Sequence, residues 1–167
     1  MGPENRRPQV RVHHHAPGHI PGEDIPDGGQ VAHPSVLIAD DEEALSELLA
    51  RELSALGYEC VSLRSKADAF RWSVAHHPDI IITDIRSPEM DGFQFLSLLK
   101  SDARTRMVPI VFWTGVASPD NAALAKRLGA AEVVSKPCRL ADVQDVIERL
   151  LRNGKPPGNG PEAASRP

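Results

Sequence analysis

The chain has 167 residues, of which 41% are apolar and 25% charged, with a formal net charge of −4. Those proportions are ordinary for a globular protein and exclude a wholly disordered, collagen-like or membrane-spanning chain. The charge forms no basic patch, so the electrostatic footprint of a nucleic-acid binder is missing.

Ten of the 15 prolines and eight of the 12 glycines fall within residues 1–34 and 153–167. Residues 1–34 are therefore predicted to be a flexible Pro/Gly/His-rich segment and 153–167 a disordered tail, leaving one domain over 35–152. His13, His14 and His15 sit in the first segment, where such a tract usually has no specific role. No apolar run reaches signal-peptide or membrane-span length, which predicts a cytoplasmic protein without a membrane partner. Cys60 and Cys138 have neither CxxC nor metal-ligand spacing and read as free thiols.

From residue 35 the pattern is regular. Val36 to Ala39 is a short apolar run ending at Asp40-Asp41, as in a strand buried on both faces. Leu45, Leu48, Leu49, Leu53 and Leu56 recur at helical spacing up to Gly57, a left-handed C-cap. Tyr58–Leu63 reads as a strand, Lys66–His76 as a helix and Ile80–Thr83 as a third strand, closing on Asp84. After a loop through Pro88 to Gly92, Phe95, Leu96, Leu98 and Leu99 mark a third helix. Ile110–Trp113 is a fourth strand ending at Thr114-Gly115, and 119–128 an Ala-rich helix with a thin apolar stripe capped by Gly129. Val133–Ser135 is a fifth strand before Lys136-Pro137, and the last helix carries Leu140, Val143, Val146, Ile147, Leu150 and Leu151 on one face.

Five strand–helix units predict an α/β fold, a doubly wound parallel sheet with five helices on its two faces. Ligands of such sheets bind beyond the carboxyl ends of the strands. Those ends hold Asp40, Asp41, Asp84, Thr114 and Lys136. Singly each is an ordinary cap, turn or surface residue. Together they put three carboxylates, a hydroxyl and an ammonium at one edge, where a divalent cation or a lysine is needed to offset the repulsion. Oxygen ligands of this kind suit Mg²⁺ and phosphate chemistry.

Ile38-Ala39-Asp40-Asp41-Glu42, Asp84 to Gly92, Thr114-Gly115, and Gly129-Ala130 leading to Lys136-Pro137 resemble, in order and spacing, the receiver domain of response regulators, the phospho-accepting half of two-component signalling. The resemblance covers essentially all of 35–152. It implies a flavodoxin-like strand order 2-1-3-4-5. It also implies that Asp84 is the phosphoacceptor, and that Asp41, Asp84 and the Arg86 carbonyl bind Mg²⁺ directly, with Asp40 acting through water. Thr114 would hydrogen-bond the phosphoryl group and Lys136, before a cis proline, would neutralise it. Gly115 would leave room for the donor. The chain departs from the family at Ser87, at Val133, where an aromatic switch residue is usual, and at Cys138. Arg86 and Val116 occupy positions that tune phosphoryl lifetime, and the long Arg86 side chain is expected to cover the site.

The expected function is a stand-alone response regulator, since few residues follow the domain. It would be phosphorylated by a sensor histidine kinase or phosphotransfer protein and read by a protein target at the face of the fourth helix, fifth strand and fifth helix. It would be a monomer or weak dimer. A phosphorylation-independent adaptor is the alternative. A dehalogenase-type phosphatase would want a second Asp two residues after the nucleophile, where this chain has Arg86, so no enzyme acting on external substrates is expected.

Overall fold

A computed structural model of the chain describes residues 11–13 and 33–154. The flexibility expected of residues 1–34 and of the tail, and the His13–His15 tract, fall almost wholly outside the described residues.

The elements, in chain order, are β1 (Arg11–His13), β2 (Ser35–Ala39), α1 (Glu43–Ala55), β3 (Glu59–Leu63), α2 (Lys66–His76), β4 (Ile80–Thr83), α3 (Gly92–Ser101), β5 (Ile110–Thr114), α4 (Pro119–Leu128), β6 (Glu132–Ser135) and α5 (Leu140–Gly154). All ten elements expected from 35 onward are present, with ends within a few residues of the sequence pattern. The strand order is β1-β3-β2-β4-β5-β6. The five strands from β2 to β6 pair in parallel and reproduce the flavodoxin-like order. The addition is β1, which pairs antiparallel with β3 and extends the sheet at that edge. Three residues without a distinct alternation carry too little signal to be read as a strand.

Alternation along the strands divides the core into two layers. Val36, Ile38, Ile80 and Ile82 point to the face covered by α1 and α5, where Leu49, Leu53, Val143 and Ile147 close the packing. Leu37, Ile81, Ile110 and Phe112 point to the other face, against Phe95, Leu96 and Leu99 of α3 and Ala69 of α2. Each such fully buried aliphatic side chain contributes roughly 2 kcal/mol. Within α4 only Ala125 is buried, as its thin stripe predicts.

The helix starts are built locally. Ser65, Asp91 and Ser118 each accept a backbone N–H of the first turn, and Asp91 forms a reciprocal capping box with Gln94. The helix stops use positive φ, at Gly57 after α1 and Gly129 after α4, and also at His77 after α2.

Candidate functional site

The register explains how distant acids meet. Ala39 of β2 pairs with Thr83 of β4, so Asp40 and Asp84, the next residues, leave the sheet side by side. Thr114 of β5 pairs with Ser135 of β6, and the Lys136 amide donates to the Thr114 carbonyl, which brings Lys136 to the same edge. The order of strands reverses around β2, so this edge is the crevice where doubly wound sheets bind ligands.

Asp84 is buried, 7% exposed. Its Oδ1 accepts the Ile85 amide at 2.6 Å and the Arg86 amide at 3.4 Å, while Oδ2 faces the Lys136 ammonium at 3.4 Å. One oxygen is therefore anchored to the backbone and the other is turned to the cation. Asp40 is more deeply buried, with Oδ1 accepting the Glu42 amide at 2.9 Å and Oδ2 bound to Lys136 at 2.8 Å. Asp40 thus organises the entry to α1 as well as belonging to the acidic group.

Lys136 is the hub. Its Nζ also lies 3.9 Å from Glu42 and 4.5 Å from the centre of the Trp113 ring. Burial by itself would lower its pKa, but the Asp40 hydrogen bond and the charges of Asp40, Asp84 and Glu42 outweigh it and hold the ammonium above the ordinary lysine value. The Lys136-Pro137 peptide is cis, as the resemblance implied.

A cleft of about 1150 Å³ opens over this group, lined by Asp41, Asp84, Arg86, Thr114, Gly115 and Lys136 among others. Arg86 is exposed along it and Asp41 half-buried. Thr114 is fully buried, and its hydroxyl accepts the Val116 amide at 3.2 Å. A side-chain carbon at Gly115 would meet nothing within 4 Å, so that wall is open. Among the described residues no group of three or more Asp, Glu, His or Cys side chains is gathered into a metal cage. Mg²⁺ does not need one, because it binds through one or two carboxylates and keeps several waters. Asp41 and Asp84, hard oxygen donors on an open cleft, fit that requirement.

Three residues at the site and one buried behind it were not singled out by sequence reasoning for the parts they play. Trp113 and Cys138 form its α5 side, where the indole N–H donates to the Cys138 sulfur at 3.3 Å. Gly92 starts α3 against the carbonyl of Asp84. Lys66 is 1% exposed at the start of α2. Gly92 left a sequence signal as the glycine closing the loop after Asp84, and Cys138 only as a departure from the family pattern. The two thiols are unlike. Burial pushes Cys60 up to about 11, whereas Cys138 borders the cleft. At pH 8 iodoacetamide is expected to alkylate Cys138 and leave Cys60 unmodified until the protein is unfolded. Peptide mass mapping checks this, and modification of Cys60 in the folded protein would contradict it.

A doubly wound sheet with an acid–lysine group at its switch point defines an α/β protein of the class whose ligand crevice lies at the carboxyl edge. The family model for the response regulator receiver domain matches residues 36–148. The polar-differentiation response regulator DivK of Brucella ovis is 31% identical over 117 residues, which take in 70% of this chain and 95% of DivK. Among solved structures, the chemotaxis protein CheY4 of Vibrio cholerae aligns with a TM-score of 0.68 at 25% identity, covering 71% of this chain and 99% of CheY4. The signal receiver domain of a signal transduction histidine kinase from Syntrophus aciditrophicus gives 0.68 at 28% identity, over 78% and 98% of the two chains. This chain belongs to the response regulator receiver domain family. No described helix is long and apolar enough to cross a membrane.

Proposed function

We propose that the protein is a response regulator that accepts a phosphoryl group on Asp84 from a phosphohistidine of a sensor kinase or phosphotransfer protein. The observation that carries this is the asymmetry of the Asp84 carboxylate, with Oδ1 held by two backbone amides and Oδ2 facing Lys136 at the floor of an open cleft. An Asp84 oxygen attacks phosphorus. The new P–O bond forms as the P–N bond to the donor imidazole breaks, and the bonding pair leaves with the imidazole nitrogen, which takes a proton.

Little else is asked of the protein than positioning and charge stabilisation. Lys136 supplies a fixed positive charge beside the entering group. The Thr114 hydroxyl, now held in its own loop, is the group available to turn toward a phosphoryl oxygen. Asp41, Asp84 and the Arg86 carbonyl would hold Mg²⁺, with Asp40 behind them, and the cation would neutralise charge on the transferred group. The phosphorylated state would be read by a protein partner on the α4–β6–α5 face, where β6 is the outer strand and α4 is thinly anchored.

Incubation with acetyl phosphate and Mg²⁺ is expected to add one phosphoryl group by intact mass, and Asp84→Asn to add none. Absence of uptake by the unsubstituted protein would overturn the proposal and favour a phosphorylation-independent adaptor.

A further inference from the structure

Lys66 makes no contact in the acid–lysine group, yet it is among the largest fully buried side chains of the described residues. Its Nζ is the only buried side-chain nitrogen or oxygen among the described residues that lacks a hydrogen-bond partner. An ammonium out of water and without a partner is costly unless nearby negative charge offsets it. The topology supplies that charge. Leu63 at the end of β3 pairs with Ala39, and the Asp40 amide donates to the Leu63 carbonyl. Residues 64–66 therefore leave the sheet beside Asp40, on the flank opposite β4. Lys136 arrives from the β6 side, so the acidic group lies between two lysines. Burial lowers the Lys66 pKa, and the charges of Asp40, Asp41, Asp84 and Asp91 act in the opposite direction.

The Lys66 Nζ does not reach the cleft wall and touches no carboxylate within hydrogen-bond distance. It acts through its field. We infer that Lys66 is a built-in counter-cation of the acidic site, repelling a divalent cation from behind and so weakening Mg²⁺ binding at Asp41 and Asp84. This rests on the reading of that site as a Mg²⁺ site. A divalent ion feels each neighbouring unit charge twice over, so removing one from a buried flank changes affinity substantially.

The test is calorimetric titration of MgCl₂ into the full chain and into Lys66→Met and Lys66→Gln, each checked for folding by circular dichroism. Both variants are expected to bind Mg²⁺ about tenfold more tightly than the unsubstituted protein. Equal or weaker binding in a folded variant overturns the inference, and so does failure of both variants to fold, which would make Lys66 a purely structural residue. Asp41→Asn is the control for the site itself and is expected to weaken binding. If it does so while Lys66→Met changes nothing, only the counter-cation fails. If Asp41→Asn binds as before, or no protein binds Mg²⁺, the reading of the site as a Mg²⁺ site fails and the inference with it.

Discussion

Gly92→Ala is expected to destabilise the domain by about 3 kcal/mol, near the upper end for overpacking, and to displace the loop that presents Asp84. The α3 helix begins with the Gly92 amide donating to the Ile85 carbonyl at 2.6 Å. A methyl group there would run into the Asp84 carbonyl oxygen, and would stand 2.7 Å from Phe112 Cε1 and 2.8 Å from Ile85 Cα. Two of those three neighbours are backbone of the Asp84 loop, which cannot rotate away as a side chain can. Phe112 is fully buried and meets Phe93 edge-on at 5.5 Å between ring centres. The strain must therefore move the loop or the start of α3. Urea unfolding of Gly92→Ala beside Gly115→Ala measures it. Gly115 lines the cleft over Asp84 but has open space around it, and its substitution is expected to stay within about 0.5 kcal/mol. Equal midpoints for the two variants would refute the argument.

Lys136→Met is expected to cost about 3 kcal/mol of stability and at least about a hundredfold in the rate of phosphoryl uptake. Its ammonium bridges Asp40 and Asp84, and its side chain is 10% exposed, so solvent screens the pair little. Methionine fills much the same volume but leaves the Asp40 and Asp84 carboxylates without the ammonium that bonds them. Breaking a buried pair on one side costs more than replacing both partners. The pH dependence has a definite sign. Because folding raises the Lys136 pKa above its ordinary 10.5, its contribution is complete below that value and is lost as pH rises through the folded value. The stability difference between the unsubstituted protein and Lys136→Met should hold at neutral pH and shrink above about pH 10.5. A difference that grows with alkalinity, or an unchanged rate of uptake, would remove Lys136 from the role assigned to it.

The parts of the site that were legible in the sequence share one property. Each of Asp40, Asp84, Thr114 and Lys136 ends or follows an apolar run, so knowing the strand is enough to know the edge. The parts that were missed have no such marker. Lys66 looks like the polar first residue of a surface helix, because nothing local says that α2 tucks its start under the acidic loops. Trp113 reads only as a strand residue, and its stacking against the Lys136 ammonium depends on β5 and β6 being neighbours. β1 is short, and its pairing with β3 connects segments almost fifty residues apart, beyond the reach of any local pattern.

The sequence by itself determined the class of fold, the five parallel strand–helix units to within a few residues at their ends, and the identity of the residues at the carboxyl edge. These follow from periodicity, caps and breakers, which act over a few residues. Only the tertiary structure decided how charge is balanced at that edge, with Lys136 bonded to Asp40 and facing Asp84 and Lys66 unpaired on the opposite flank. Burial and distance between remote segments set that balance, and they exist only once the sheet has brought β2, β3, β4 and β6 into one register.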